Sequence, residues 1–166
     1  MKKIKILVVA AISLSVITLN SCKKKDEKPA VSITATIDGT ATNFNLNAAA
    51  LQATSSGMTI TNIEGSTSTG GPTLSLSLIG TLTAGKTFSD ANTADNDRPL
   101  FVYATSPTAD SDYLNDDDDT SNLPTVTITS VTSTTIDGTF KGLVANGTSN
   151  KSIANGKFHV NIQTNQ

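Results

Sequence analysis

The sequence predicts an all-β protein, folded as an antiparallel β-sandwich or a flattened barrel of about eight or nine short strands. Apolar residues recur at every second position in several segments, which is the period that places one face of a strand on a core. Serine and threonine fill most positions between them, as is typical of the solvent face of strands. No long stretch has the 3.6-residue period of a helix, so we expect little helix.

The clearest alternation opens the folded part of the chain. Residues 31–37 alternate apolar with hydroxyl side chains, which predicts a strand. Asp38 and Gly39 follow it and predict a turn, because both residue types tolerate positive φ. Phe44 and Leu46 alternate with asparagines and predict the return strand.

The next two segments are less regular. Residues 48–53 contain good helix formers but are too few for a helix, so the sequence predicts only a turn or an edge there. Met58 and Ile60 begin a new alternation that Ile63 breaks, which predicts a β-bulge or a strand end. Residues 74–78 then alternate leucine with serine after a Gly-Gly-Pro turn and predict a regular strand.

Two later features predict how the core is packed. Residues 100–103 are apolar at every position, so we expect a strand that is covered on both faces or lies beside a pocket. Gly138 and Gly142 share a face with Ile136 and Phe140. Glycine in a strand interior predicts that another backbone approaches closely.

The first 22 residues predict export and a lipid anchor. Residues 1–5 carry three lysines and residues 6–19 are mostly apolar, which is the plan of a secretory signal and is shorter than the roughly 20 residues that a membrane span needs. The sequence Leu-Asn-Ser-Cys that ends at Cys22 resembles the bacterial lipobox. The resemblance implies that the Cys22 thiol is acylated and that the mature chain begins there. A free cysteine after an ordinary signal is the alternative, but it would leave a reactive thiol outside the cell.

The residues after Cys22 bear on where the anchored protein resides. A lysine follows the cysteine, which argues against the inner-membrane retention signal of enteric bacteria. Lys25, Asp26 and Glu27 resemble the surface-export signal of Bacteroidota lipoproteins. A solvated tether, kept extended by its charges, is the alternative reading of residues 22–30. We expect an outer-membrane protein, with exposure at the cell surface left open.

The remaining chain, residues 31–166, predicts one β-sandwich domain with an acidic surface. From Pro29 onward it has five basic and twelve acidic residues, a net charge of −7. Lysine and arginine are not clustered, so nucleic acid is not an expected partner. Cys22 is the single cysteine, so stability cannot come from a disulfide within the chain.

Three segments near the end of the chain resemble a known family. VTITSV at 126–131, IDGTFKG at 136–142 and IANGKFHV at 153–160 are similar to the closing strands of an uncharacterised β-rich lipoprotein family of Bacteroidota. The resemblance covers residues 31–162 and implies the fold and the envelope location. It implies no activity, since that family has none assigned. His159 stands where that family often has aspartate.

Two sets of polar residues are candidate sites. His159 is the single histidine and lies on the strand face opposite Phe158 and Val160, so it is predicted to face solvent. Aspartates in residues 110–122 offer the hard oxygen ligands that calcium prefers. The candidate calcium ligands are Asp110, Asp112, Asp116 and Asp118. The segment lacks the EF-hand frame, and a solvated, self-repelling acidic loop is the commoner structure.

We expect a non-catalytic lipoprotein that presents loops to a ligand or to another envelope protein. The alternative is a surface module that binds glycans for nutrient capture, with calcium as an aid. An enzyme is not expected, because the residues present do not assemble a nucleophile, a base and an oxyanion site. Aromatic exposure distinguishes the two readings, since sugars stack on exposed rings. Phe101, Tyr103 and Tyr113 should line a groove in a capture module and be buried otherwise.

Overall fold

The structure, a computed structural model, describes residues 30–89, 97–107, 112–115 and 121–164. Eleven strands and no α-helix occur in these ranges, which confirms the all-β prediction with more strands than expected. The strands are β1 Ser32–Ile37, β2 Thr40–Asn43, β3 Leu46–Ser55, β4 Met58–Ser66, β5 Thr73–Ile79, β6 Thr87–Ser89, β7 Leu100–Ala104, β8 Asp112–Asn115, β9 Thr125–Val131, β10 Thr135–Ala145 and β11 Asn150–Thr164. Within the described ranges, no helix has the length and apolar character needed to span a membrane.

The strands form one mixed sheet that folds into two facing layers. Layer 1 has the order β2-β1-β11-β10-β9-β6, and layer 2 has the order β3-β4-β5-β7-β8. Two corners join the layers. At one, the end of β11 runs parallel to β3, with Ile162 opposite Ala50, and at the other β8 pairs with Val144 and Ala145 of β10. Every strand pair except β11 with β3 is antiparallel. Because the two corners close the sheet, the fold is a flattened barrel, and its core lies between two layers as in a sandwich.

The core between the layers is one continuous cluster of buried side chains. Aromatic rings from both layers interlock at its centre. Phe101 of layer 2 meets Phe140 of layer 1 edge to face, with ring centroids 6.1 Å apart. Phe140 also stacks on Phe158 at 6.3 Å. Ring pairs at these separations add to the free energy of simple burial, so Phe140 ties the two layers together.

Two predicted strands and one predicted turn are confirmed. β1 buries Ile33, Ala35 and Ile37, and β5 fully buries the leucines at 74, 76 and 78. The turn between β1 and β2 has positive φ at both Asp38 (48°) and Gly39 (82°). A two-residue turn of this kind matches the twist of the strands it joins.

The prediction for residues 48–53 is wrong, because they lie inside β3, a strand of ten residues. Alanine favours helix, but β3 pairs along its length with β4, and Ala50 is fully buried opposite Ile63. Tertiary pairing therefore overrides local propensity here. The turn that follows, Ser56 and Gly57, again has positive φ at both residues (52° and 80°).

β4 itself has no bulge or end at Ile63, but its pairing with β3 shifts register opposite Glu64 and Ser66, where β3 has one residue more. The pairing of β4 with β5 is continuous from Ile60 to Ser66. The inward face of β4 begins at Thr61 and continues through Ile63, whereas Met58 and Ile60 face solvent. The buried Thr61 hydroxyl accepts a hydrogen bond from Gln52 Nε2 at 3.1 Å, which offsets the cost of burying it.

β7 is covered on one face only, contrary to the prediction from residues 100–103. Phe101 and Tyr103 point into the core, but Leu100 is 46% exposed on the outer face of layer 2. The same outer face carries the other large apolar side chains that are exposed in the described ranges. They are Leu46, Leu51, Met58, Ile60 and Leu114.

β8 lies in the acidic segment that the sequence suggested was a loop. Its backbone pairs with β7, with Tyr113 opposite Tyr103. Asn115 fixes this pairing further, since its Oδ1 accepts from Phe101 N at 2.8 Å and its Nδ2 donates to Pro99 O at 2.7 Å. β8 has only four residues and lies among acidic residues, so the sequence pattern did not indicate a strand there.

The close approach predicted at Gly138 and Gly142 is confirmed. A Cβ at Gly138 would lie 2.6 Å from Thr127 O and would also collide with the Phe158 ring. A Cβ at Gly142 would lie 2.8 Å from Pro124 Cα. Both glycines therefore make room for a neighbouring backbone.

The hairpin turn between β1 and β2 should make stability depend on pH. Lys151 Nζ donates to Asp38 Oδ2 at 2.8 Å and Ser152 N donates to Asp38 Oδ1 at 2.9 Å. The hydrogen bond from Lys151 and then that from Ser152 hold the pKa of the Asp38 carboxyl below its ordinary value. A lowered folded-state pKa stabilises the fold above the unfolded-state pKa of about 3.9, and this contribution is lost as pH falls through the folded-state pKa.

We therefore expect Asp38→Asn to lower stability at neutral pH and to flatten its decline in acid. Urea unfolding between pH 2 and about pH 7 measures both effects. The matched control is Asp112→Asn, which removes an exposed carboxylate from β8. Equal acid profiles for Asp38→Asn and the unaltered protein would contradict this prediction.

Candidate functional site

The outer face of layer 1 is polar and regular. A single row of side chains crosses all six strands of the layer at the same register. The row consists of Asn43, Thr34, Lys157, Thr139, Thr127 and Thr87, in the order β2-β1-β11-β10-β9-β6. Neighbouring hydroxyls bond to one another where β9 meets β6, as Thr127 Oγ1 and Thr87 Oγ1 do at 3.1 Å.

A bulge in β11 interrupts this face and forms a groove. Phe140 pairs with Gly156, but Gly142 pairs with Ile153, so β11 has one residue more than β10 between these points. Asn155 absorbs the extra length with a φ of 53°, in the left-handed region that asparagine tolerates. The kinked strand leaves a hollow of ≈ 620 Å³ beside it.

A second hollow of ≈ 350 Å³ continues the first along β11. The two share Thr125 and Lys141, and we call them together the bulge groove. Polar side chains lie along its length. They are Thr34, Asn122, Thr125, Thr127, Thr139, Lys141, Ser152, Asn155 and Lys157. The groove therefore combines hydroxyl, amide and ammonium groups with apolar surface, to which Leu123 and Ala154 contribute.

The bulge groove contains Lys141 and Lys157, and their ion pairing differs from that of the other described lysines. Lys86 pairs with Asp97 at 3.0 Å, and Lys151 pairs with Asp38 at 2.8 Å. Lys141 and Lys157 have no ion-pair partner among the described residues, and both are exposed. The groove therefore carries two uncompensated positive charges in a domain whose net charge is negative.

His159 lies on the same face, as the sequence predicted, but it is only 20% exposed. Its Nδ1 donates to Asp137 Oδ1 at 2.6 Å. Among the described residues, its buried Nε2 has no hydrogen-bond partner, and neither has the buried Oδ1 of Asn161. Ser32 lies opposite His159 on β1, so a serine, a histidine and an aspartate follow one another across three strands.

This row of three does not assemble a nucleophile and its base. Within the described chain, no hydrogen bond joins Ser32 to His159, although a nucleophile must reach its base. The backbone N–H groups of regular ladder strands lie in the plane of the sheet, where neighbouring strands use them. Across this row the backbone amides belong to the strand ladders, and the Asp137–His159 contact joins β10 to β11.

In comparisons with protein-family models, curated proteins and solved structures, none matches this chain.

The structure describes few of the residues that the sequence proposed as sites. Cys22 and the export residues Lys25, Asp26 and Glu27 lie outside the described ranges, as do Asp110, Asp116 and Asp118. Asp112 is exposed at the start of β8. Within the described ranges, no three of the residues His, Cys, Asp and Glu lie together as a metal site would require. Calcium binding stays a prediction.

The aromatic residues that were to distinguish the two readings do not line a groove. Phe101 is fully buried and Tyr103 is 7% exposed, and burial raises the pKa of the Tyr103 hydroxyl. Tyr113 is half-buried, and its hydroxyl bonds to Ser149 Oγ at 3.0 Å. Sugar stacking on these rings is therefore not supported.

Sequence reasoning did not find Lys141 and Lys157 as a pair. They are sixteen positions apart, and only the pairing of β10 with β11 brings them to one groove. One signal was present, because Asn155 and Gly156 interrupt a strand pattern with residues that favour positive φ.

Proposed function

We propose that this protein is a lipid-anchored protein of the cell envelope whose β domain is a non-catalytic binding module. The observation that supports the binding role is the bulge groove, an open hollow with two uncompensated lysines. Small-molecule sites combine an apolar lining with a few convergent polar groups, and the groove offers both. Hydroxyl and ammonium groups can orient a ligand and recognise its charge without catalysing a reaction.

The membrane attachment is proposed from the lipobox-like sequence at Cys22. One acyl chain gives only marginal membrane binding, whereas two or more hold a protein stably. Nine residues separate Cys22 from Ser32, where β1 begins. Fully extended, they span about 30 Å. The domain would therefore stay close to the membrane surface, and the Lys25, Asp26 and Glu27 signal would place it on the outer side of the outer membrane.

A glycan-capture module is the second candidate. The hydroxyl row and the amide of Asn155 favour it, because saccharides offer matching donors and acceptors. The burial of Phe101 and Tyr103 counts against a mode of capture that depends on stacking. Calcium assistance would need ligands besides Asp112, namely Asp110, Asp116 and Asp118, which lie outside the described ranges.

Acylation of Cys22 is tested by growing cells that express the full chain with an alkyne analogue of palmitate. We expect the protein to take up the label and to sediment with the outer membrane. Cys22→Ala should lose the label and leave the membrane fraction, because no other cysteine exists to carry the lipid. Ser21→Ala is the matched control, since it keeps a small residue before the cysteine.

An unlabelled wild-type protein, or a Cys22→Ala variant that stays in the membrane fraction, would contradict the anchor. The same cells test surface exposure through antibody binding before and after permeabilisation. Binding to intact cells that is lost when Lys25, Asp26 and Glu27 are all replaced by alanine supports the export reading. Binding only after permeabilisation rejects it and locates the domain in the periplasm.

A further inference from the structure

We propose that the bulge groove binds an acidic saccharide chain and holds a carboxylate or sulfate group between Lys141 and Lys157. This inference deepens the proposed function and rests on the domain being a binding module. It names the ligand class and the residues that recognise it.

The two lysines are placed to share one anionic group. Lys157 lies opposite Thr139 on the neighbouring strand, and Lys141 is two residues further along that strand. Diagonal neighbours in an antiparallel pair are about 7–8 Å apart. Each lysine has a long, flexible stem and three donors on its ammonium group. Both side chains can therefore reach the same carboxylate or sulfate.

The charge around the lysines favours an anion over a cation or a neutral group. Of the described acidic residues other than Asp137, Glu64 and Asp112 lie on layer 2, and Asp97 pairs with Lys86. Asp38 accepts from Ser152 N at one end of the groove and pairs with Lys151. Asp137 is bonded to His159 at 2.6 Å, so its nearest partner is a ring nitrogen. An entering anion thus meets two ammonium groups that form no ion pair within the described chain. Asp137, a diagonal neighbour of Lys157, is engaged by His159.

The hydroxyl groups along the groove indicate a ligand with hydroxyls of its own. Thr34 and Thr139 flank Lys157 on its two sides, and Thr125 lies opposite Lys141. A threonine hydroxyl both donates and accepts, as a sugar hydroxyl does. A simple anion such as phosphate is too short to reach the hydroxyls along the whole groove.

The shape of the groove suits a chain that lies along the strand. From Ser152 to Lys157 the groove follows β11 over five residue steps, or about 17 Å at the usual rise of a strand. It is open to solvent along this length. No exposed aromatic ring lines it, so affinity must come from charge-assisted hydrogen bonds. Such binding weakens as salt screens the charges.

The test is titration of the full-length protein, in neutral detergent, with polygalacturonate, dextran sulfate and neutral dextran. We expect at least one acidic polymer to bind, dextran not to bind, and binding to weaken strongly from about 50 mM to about 500 mM NaCl. Lys141→Gln and Lys157→Gln should each lower the affinity about tenfold, since each removes a charged hydrogen-bond donor. Lys→Arg at either position should keep most of it.

Lys86→Gln is the matched control, because it removes the same charge but from a residue that does not line the groove. Thermal melts check that each variant is folded. Equal loss in Lys86→Gln and the groove variants, or equal binding of dextran, would overturn the proposal. So would the absence of binding by both acidic polymers at low salt. These outcomes are independent of the labelling of Cys22, so each proposal fails separately.

Discussion

Replacing Phe140 with alanine should lower the free energy of unfolding by about 3–5 kcal/mol, the range seen when a buried phenylalanine is truncated. Phe140 is almost fully buried and contacts rings on both sides. It meets Phe101 of the opposite layer edge to face and stacks on Phe158 of its own layer. Its removal leaves a cavity where the two layers touch and also deletes two aromatic contacts.

Equilibrium urea unfolding at neutral pH measures this effect. Phe140→Leu should cost clearly less, because it keeps much of the apolar volume. Thr139→Ala is the neighbouring control, since Thr139 points outward and surface changes are usually within about 0.5 kcal/mol. A loss of less than about 1 kcal/mol in Phe140→Ala would show that the layers do not meet through this ring.

The second large effect is expected for Gly138→Ala, which should cost about 3 kcal/mol, at the upper end of the cost of overpacking. The added Cβ would lie 2.6 Å from Thr127 O, a backbone atom that moves only if β9 moves. It would also collide with the Phe158 ring. The strain therefore arises from steric conflict rather than from an unusual φ.

Gly57→Ala separates these two causes. Gly57 has a φ of 80° and no atom within 4 Å of an added Cβ, so its replacement costs only the conformational strain, about 1 kcal/mol. Gly138→Ala combined with Phe158→Leu should lose less than the sum of the two single losses, because the smaller side chain relieves one of the two collisions. Equal losses in Gly57→Ala and Gly138→Ala would contradict the steric explanation.

Strict alternation identified the parts of the fold that face the core directly. The strands at residues 32–37 and 73–79 follow the sequence pattern because their outward residues are small hydroxyls. Alternation misled where apolar residues face outward. Met58, Ile60 and Leu100 satisfy an apolar pattern but lie on the outer face of layer 2. A pattern of period two reports that the faces differ, and not which face is buried.

The candidate site was less predictable than the fold. Its lysines come from two strands whose register contains a bulge, and a shift of one residue would move either side chain to the other face. The partnership of Asp137 with His159 likewise depends on cross-strand register. Strand pairing brings together residues that are far apart in the chain. Local secondary-structure propensity does not predict that pairing.

The position of β11 in the sheet has a consequence for folding during synthesis. β11 pairs with β1, with β10 and with β3, and so completes both layers and one of the corners that join them. Ser32 and His159, which face each other across one of these pairs, are far apart in the chain. Contacts over such separations form late and slowly, since loop closure must come first. A nascent chain that has not yet released β11 therefore lacks the strand that closes the fold.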